Sequence, residues 1–216
     1  LYVSSWWPDV KYVAADFFDL PHEAEFNCLY EGDGQGRFQE VASQRNLIRV
    51  SQPMGANFGD LDNDGWLDMY LGTGYPEYEA LMPNLMFRNR NGTGFEDVTM
   101  SGGFGHLQKG HGIAFADLDN DGDLDIVACG FVGELKGVSR SELLSSLKVP
   151  SLLWIEQTSK GTFTPHALQA HLCNHPTLTL GDIDGDGDVD IMLGNNTQSD
   201  SRAPVEIWFN SIGDSP

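Results

Sequence analysis

Short apolar runs alternate with polar, glycine-containing turns along most of the chain. Residues 113–116 and 126–129, for example, are two apolar runs on either side of one acidic loop, and Gly130 follows directly. Such runs are shorter than a typical helix and end at turn-forming residues, which favours β-strands joined by tight turns. The pattern therefore predicts an all-β protein.

Two sequence markers recur at nearly the same spacing. The first is an acidic loop with the pattern D-x-D-x-D-G-x-x-D, which begins at Asp60, Asp117 and Asp182. The second is an apolar run followed by a glycine turn and a phenylalanine, which is Phe38, Phe95 or Phe163. The first two copies of each marker are 57 residues apart, and the next intervals are 65 and 68 residues. The agreement between two independent markers predicts a repeat protein.

Each unit has room for four short strands, with the acidic loop between the first and the second. In the second unit we expect strands at residues 56–58, 69–71, 85–88 and 94–99. Four short strands in a unit of this length match the blade of a β-propeller. The predicted fold is therefore a single β-propeller region across residues 1–216, with about four blades, either complete in itself or part of a larger ring. The expected blades span residues 1–50, 51–103, 104–170 and 171–216, and the last has its third strand at residues 205–210 and lacks its outer strand.

The acidic loops, numbered 1 to 3 in chain order, have the composition of calcium sites. Ca²⁺ is a hard cation that takes about six to eight oxygen ligands, and crowded carboxylates need such a cation to offset their repulsion. Positions one, three, five and nine are expected to bind through side chains, and position seven through its backbone carbonyl, while glycine at position six allows the turn. The predicted ligands are Asp60, Asp62, Asp64, Trp66 and Asp68 in loop 1, Asp117, Asp119, Asp121, Asp123 and Asp125 in loop 2, and Asp182, Asp184, Asp186, Asp188 and Asp190 in loop 3. Three Ca²⁺ ions are therefore expected.

An EF-hand begins with a similar pattern, but the sequence argues against it. That motif needs a glutamate at position twelve and a helix on each side of the loop. Position twelve is Leu71, Ala128 or Leu193 here, and the segments that leave the loops are short apolar runs. The loops are therefore expected to join two strands.

The first unit departs from this pattern. An offset of 57 residues places Val3, Ser5, Trp7 and Lys11 opposite four aspartates of loop 1. Because none of these residues is a carboxylate, no ion is expected there. The strands of this unit are expected at residues 1–4, 12–15, 27–30 and 37–41.

The third unit carries an insertion at residues 131–150. Residues 139–142 resemble a capping box, leucines follow at helical spacing, and Pro150 ends the segment. We expect a short helix on one rim of the fold.

The charge of the chain excludes some functions. The formal net charge is −20, with 32 acidic and 12 basic residues, and the three loops hold 14 of the acidic ones. Such a chain is not expected to bind nucleic acid. No apolar run approaches the ~18 residues of a membrane span. Three cysteines, Cys28, Cys129 and Cys173, do not make a disulfide framework.

The loops and their surroundings resemble the FG-GAP or VCBS repeat. The resemblance is carried by residues 58–68, 115–125 and 181–190, and the hairpin at residues 84–98 is typical of the VCBS/ASPIC branch. Such repeats form β-propellers, as in the heads of integrin α-subunits, with calcium in each loop. The resemblance implies a secreted or surface-displayed protein used in adhesion or ligand binding. Propellers of this family commonly have more blades than this chain, so closure of the ring is left open.

The sequence gives no catalytic constellation, and we expect a binding protein rather than an enzyme. It has no H-E-x-x-H, G-x-S-x-G or phosphate-binding glycine loop, and its clustered carboxylates are assigned to metal. The expected partner is a protein or glycan ligand, in an extracellular or cell-surface location. Two alternatives stay open. One is a structural subunit that self-assembles through open blade edges, and the other is a polysaccharide-acting enzyme on the same scaffold.

Overall fold

A computed structural model describes residues 1–7, 9–74, 82–131, 149–170, 174–196 and 203–211. Within these ranges the chain forms one helix, α1 (Lys11–Phe17), and sixteen strands. The strands are β1 (Tyr2–Val3), β2 (Cys28–Gly32), β3 (Phe38–Glu40), β4 (Pro53–Gly59), β5 (Asp68–Thr73), β6 (Met82–Pro83), β7 (Leu85–Asn89), β8 (Phe95–Asp97), β9 (Leu107–Gln108), β10 (Gly110–Ala116), β11 (Asp125–Gly130), β12 (Pro150–Ser159), β13 (Thr162–Ala170), β14 (Thr177–Gly181), β15 (Asp190–Gly194) and β16 (Val205–Trp208).

The strands form four antiparallel sheets that follow one another along the chain. Sheet 1 has the order β1-β2-β3, sheet 2 β4-β5-β7-β8, sheet 3 β10-β11-β12-β13 and sheet 4 β14-β15-β16, while β6 and β9 form a short ribbon. The all-β prediction is confirmed, and in the second unit all four expected strands are present. Each of the three acidic loops joins the first two strands of its sheet, as predicted.

The prediction for the first unit was wrong in two respects. Residues 12–15, expected as a strand, lie in α1, where two alanines favour a helix and the Asp9 carboxylate accepts a hydrogen bond from the Lys11 N–H. In addition, β1 takes the second position in its sheet rather than the first, because Tyr2 pairs with Leu29 as Tyr70 pairs with Met86 in sheet 2.

The alignment of Val3, Ser5, Trp7 and Lys11 with loop 1 is therefore wrong as well. A constant offset fails there because the segment between the second and third strands is longer in sheet 1 than in sheet 2. The expectation that the first unit holds no ion loses its argument from those four residues. The helix predicted within residues 131–150 falls mostly on residues 132–148, which lie outside the described residues.

Apolar side chains fill the space between consecutive sheets. Successive side chains of a strand point to opposite faces. On β5, Met69 and Leu71 pack toward sheet 1, whereas Tyr70 packs toward sheet 3. On β11, Ile126 packs toward sheet 2, and Val127 packs toward sheet 4. The four sheets are therefore stacked face to face in chain order, with one apolar layer at each of the three junctions.

The first strands of neighbouring sheets approach closely. A Cβ atom on Gly72 would lie 2.6 Å from the carbonyl oxygen of Gly110, and one on Gly55 would lie 2.1 Å from that of His111. Only glycine permits such an approach of two backbones. Among the described residues, no helix is long and apolar enough to span a membrane.

Candidate metal centres

The three acidic loops share one backbone conformation. Position six is left-handed in each loop, with φ of 89° at Gly65, 97° at Gly122 and 100° at Gly187. Position four is left-handed too, and it is occupied by Asn63, Asn120 or Gly185. Glycine and asparagine tolerate this conformation better than other residues. The sequence pattern therefore reproduces the same tight double turn three times.

The carboxylate at position one holds each turn closed. Asp60 accepts hydrogen bonds from the backbone N–H groups of Asp64 and Gly65, both at 2.9 Å. Asp117 accepts the equivalent bonds in loop 2, at 3.0 and 2.9 Å. Asp182 does so in loop 3, where its donors are Gly185 and Gly187.

Three carboxylates converge in each loop. Oxygens that lie within 4.8 Å of one another come from Asp60, Asp62 and Asp64 in loop 1, from Asp117, Asp119 and Asp121 in loop 2, and from Asp182, Asp184 and Asp190 in loop 3. Burial and the neighbouring Asp121 carboxylate raise the pKa of Asp119. This is a set of hard oxygen donors with unrelieved mutual repulsion, and it fits Ca²⁺.

The aspartate at position nine has a role that sequence reasoning missed. One oxygen of Asp68 accepts from the Leu61 N–H at 3.2 Å, and the other accepts from the Asn89 N–H at 2.7 Å. Asn89 ends the third strand of the sheet, so the buried Asp68 carboxylate ties the loop to that strand. Burial raises the pKa of Asp68 to about 6.

The same tie occurs in the other two loops. Asp125 accepts from the backbone of Leu118 and Gln157. Asp190 accepts from the backbone of Asn210 and Ile183, and these bonds lower its pKa. In loops 1 and 2 the structure therefore places position nine as a strut beside the carboxylate cluster, whereas in loop 3 Asp190 also belongs to the cluster.

Side chains at position seven connect neighbouring loops. The Asn63 side-chain amide of loop 1 donates to Asp123 of loop 2 at 2.8 Å. The Asn120 amide of loop 2 donates to Asp188 of loop 3 at 2.7 Å. Position seven was predicted to act through its backbone carbonyl, and that remains a prediction, but its aspartate side chains bridge the loops.

Loop 1 has a tryptophan at position seven instead. The Trp66 ring lies against the hairpin turn of its own sheet, where a Cβ atom on Gly92 would lie 2.3 Å from the ring. Trp66 therefore packs within sheet 2, and the series of interloop bonds runs from loop 1 to loop 3.

Comparison with known protein families agrees with the repeat pattern. Residues 12–71 and 79–128 match the family model of the FG-GAP-like repeat. Each matched range ends just after an acidic loop, so the two ranges contain loops 1 and 2. Loop 3 lies outside the matched ranges but has the same turn and the same position-one bonds. A search of curated proteins found no significant match.

Proposed function

Because the chain belongs to the FG-GAP-like repeat family, we propose that it is an extracellular β-propeller that binds Ca²⁺ in three loops and binds a protein or glycan ligand in adhesion. The observation that carries the proposal is the threefold recurrence of one carboxylate cluster in one position of the sheet. FG-GAP repeats often bind calcium, and each cluster offers the oxygen donors that this cation prefers.

The stacking of the sheets supports a propeller. Propeller blades are short antiparallel sheets arranged around a common centre, with their first strands innermost. The sheets here follow chain order, and the close contacts of Gly55 and Gly72 with β10 bring first strands together. We infer that the acidic loops lie in a row on one face of the propeller, connected by the bonds from Asn63 and Asn120.

The extracellular location is inferred from the metal chemistry. Loops without the bidentate glutamate of a sensor suit the millimolar calcium found outside cells. The clustered carboxylates have structural and metal-binding roles, which favours a binding protein over an enzyme.

Calcium is expected to stabilise the fold measurably. Binding stabilises the native state by RT ln(1 + [L]/Kd), or about 2.7 kcal/mol per site at 100 times Kd. We expect elemental analysis to give three calcium ions per chain and EDTA to lower the melting temperature. In a control with Asp60→Asn, Asp117→Asn and Asp182→Asn, EDTA should have little effect. An unchanged melting curve together with no bound calcium would overturn the proposal.

The ligand class can be tested separately. A glycan array probed with and without calcium should show calcium-dependent binding if the ligand is a glycan, and product release from a bound polysaccharide would instead support the enzyme. Pull-down against extracellular matrix proteins covers the protein ligand. Binding that is equal in EDTA would separate the ligand site from the calcium loops.

Self-association is a second candidate, favoured by one surface. Among the described residues, β16 is the edge strand of sheet 4, and Val205 and Ile207 are 49% and 39% exposed there. Ile207 pairs with Met192, on the face that points away from sheet 3. Light scattering in calcium should show assemblies that Ile207→Lys disperses. A monomer at all concentrations would eliminate this candidate.

A further inference from the structure

The three loops differ at one place beside the carboxylate cluster. Arg88, Glu156 and Phe209 each directly precede the residue whose backbone N–H bonds to the position-nine aspartate of their sheet. The strand registers agree, because Met69 pairs with Phe87, Ile126 with Ile155 and Ile191 with Trp208. The same structural position, here called the flanking position, is therefore cationic, anionic or apolar.

In loop 1 the flanking residue engages a predicted calcium ligand. The Arg88 guanidinium forms an ion pair with the carboxylate of Asp62. Asp62 is only 6% exposed, so this pair is partly shielded from solvent. Arg88 therefore satisfies part of the negative charge of loop 1 before any cation arrives, and it must give up this contact or repel the cation when one binds.

In loop 2 the flanking residue has the opposite effect. The Glu156 carboxylate adds to the negative field around Asp119, whose pKa is raised by burial, by Asp121 and also by Glu156. Glu156 is held in place by His166, whose Nε2 lies 2.5 Å from its Oε2. Loop 3 has Phe209 at the flanking position, which is 59% exposed and carries no charge.

We propose that the flanking position ranks the three loops by calcium affinity, with loop 2 tightest, loop 3 intermediate and loop 1 weakest. The proposal rests on calcium binding by the loops as proposed above. Calcium affinity in oxygen-donor loops depends strongly on the charge around the site. One charge of either sign near a divalent cation changes the binding energy by an amount that solvent only partly screens. Loop 1 is then the site that empties first when calcium falls.

The first test isolates loop 1. Asp117→Asn and Asp182→Asn disable the other two loops, and calorimetry then measures the Kd of loop 1 with Arg88 or with Arg88→Gln. We expect Arg88→Gln to tighten calcium binding roughly tenfold. Arg90→Gln is the matched control, because Arg90 lies on the same hairpin and pairs with Glu96 rather than with a loop aspartate. Arg88→Lys keeps the charge and should leave the site weak.

The second test isolates loop 2 in the same way. With Asp60→Asn and Asp182→Asn present, Glu156→Gln should weaken calcium binding roughly tenfold. Glu25→Gln removes the same charge from an exposed position of the first unit and should change the Kd little. Melting curves in EDTA confirm that each variant is folded before its Kd is compared.

The outcomes separate this inference from the proposed function. If wild-type protein binds no calcium, the proposed function fails and the ranking fails with it. If it binds three ions but Arg88→Gln and Glu156→Gln leave the affinities unchanged, or shift them in the opposite directions, only the ranking is overturned. Tighter binding in Arg88→Gln but not in Arg90→Gln supports it.

Discussion

At the scale of single residues, the aspartates of one loop divide between two tasks. Asp64 is exposed and lies in the carboxylate cluster, whereas Asp68 is buried and accepts two backbone N–H groups. The first kind of residue repels its neighbours until a cation binds. The second kind stabilises the loop whether or not a cation is bound.

This division predicts opposite effects of two alanine substitutions in calcium-free protein. Asp68→Ala leaves the Leu61 and Asn89 N–H groups without an acceptor, which should lower the free energy of unfolding by about 1–3 kcal/mol. Asp64→Ala removes a repelling charge and should lower it by less than about 0.5 kcal/mol or raise it. Urea unfolding in EDTA measures both. Equal losses for the two variants would contradict the division.

The sequence could predict the chemistry of these residues but not this division. Residue type and spacing were enough to identify oxygen donors, and three of the predicted ligands converge in each loop. The donor that Asp68 needs is 21 positions away, at Asn89. That contact depends on how β5 and β7 pair, which the loop pattern does not contain.

At the scale of elements, the interloop bonds couple neighbouring hairpins. Asn63 is the donor and Asp123 the acceptor between loops 1 and 2, and this contact joins residues 60 positions apart. Two loops that share a bond should respond to each other when either binds a cation.

A double-mutant cycle tests this coupling. Asn63→Ala and Asp123→Ala, measured singly and together by urea unfolding in calcium, should be non-additive by about 0.5 kcal/mol or more. Asn63 and Asp188 are the matched control pair, since Asp188 accepts from Asn120 instead, and their effects should add. Additive effects for Asn63 and Asp123 would show that the bond does not couple the loops. Asp123→Ala alone should leave the calcium affinity of loop 2 nearly unchanged.

Strands were predictable where apolar runs met turns on both sides, as in sheet 2. The exception is α1, where residues 12–15 form an apolar run too short for its periodicity to tell a helix from a strand. Counting by a fixed offset then assigned β1 to the wrong place in its sheet. Pairing partners, which the sequence does not state, decide such cases.

At the scale of the whole molecule, close backbone contacts fix the spacing of the sheets. Gly72→Ala would place a methyl group 2.6 Å from the Gly110 carbonyl oxygen, so sheets 2 and 3 must separate. We expect a loss of about 1–3 kcal/mol in unfolding free energy. Gly181→Ala is the control, because no atom lies within 4 Å of its added Cβ. Chemical denaturation measures both, and a neutral Gly72→Ala would mean that the sheets can shift at little cost.

The bonds between the loops also bear on how such a row lengthens by tandem duplication. Loop 2 contains both a donor, Asn120, and an acceptor, Asp123, so a duplicate of its unit would bring the missing half of each new contact. Loop 1 has Trp66 in place of the acceptor, and loop 3 has Gly185 in place of the donor. A copy of either unit would interrupt the row, whereas copies of the loop 2 unit would extend it.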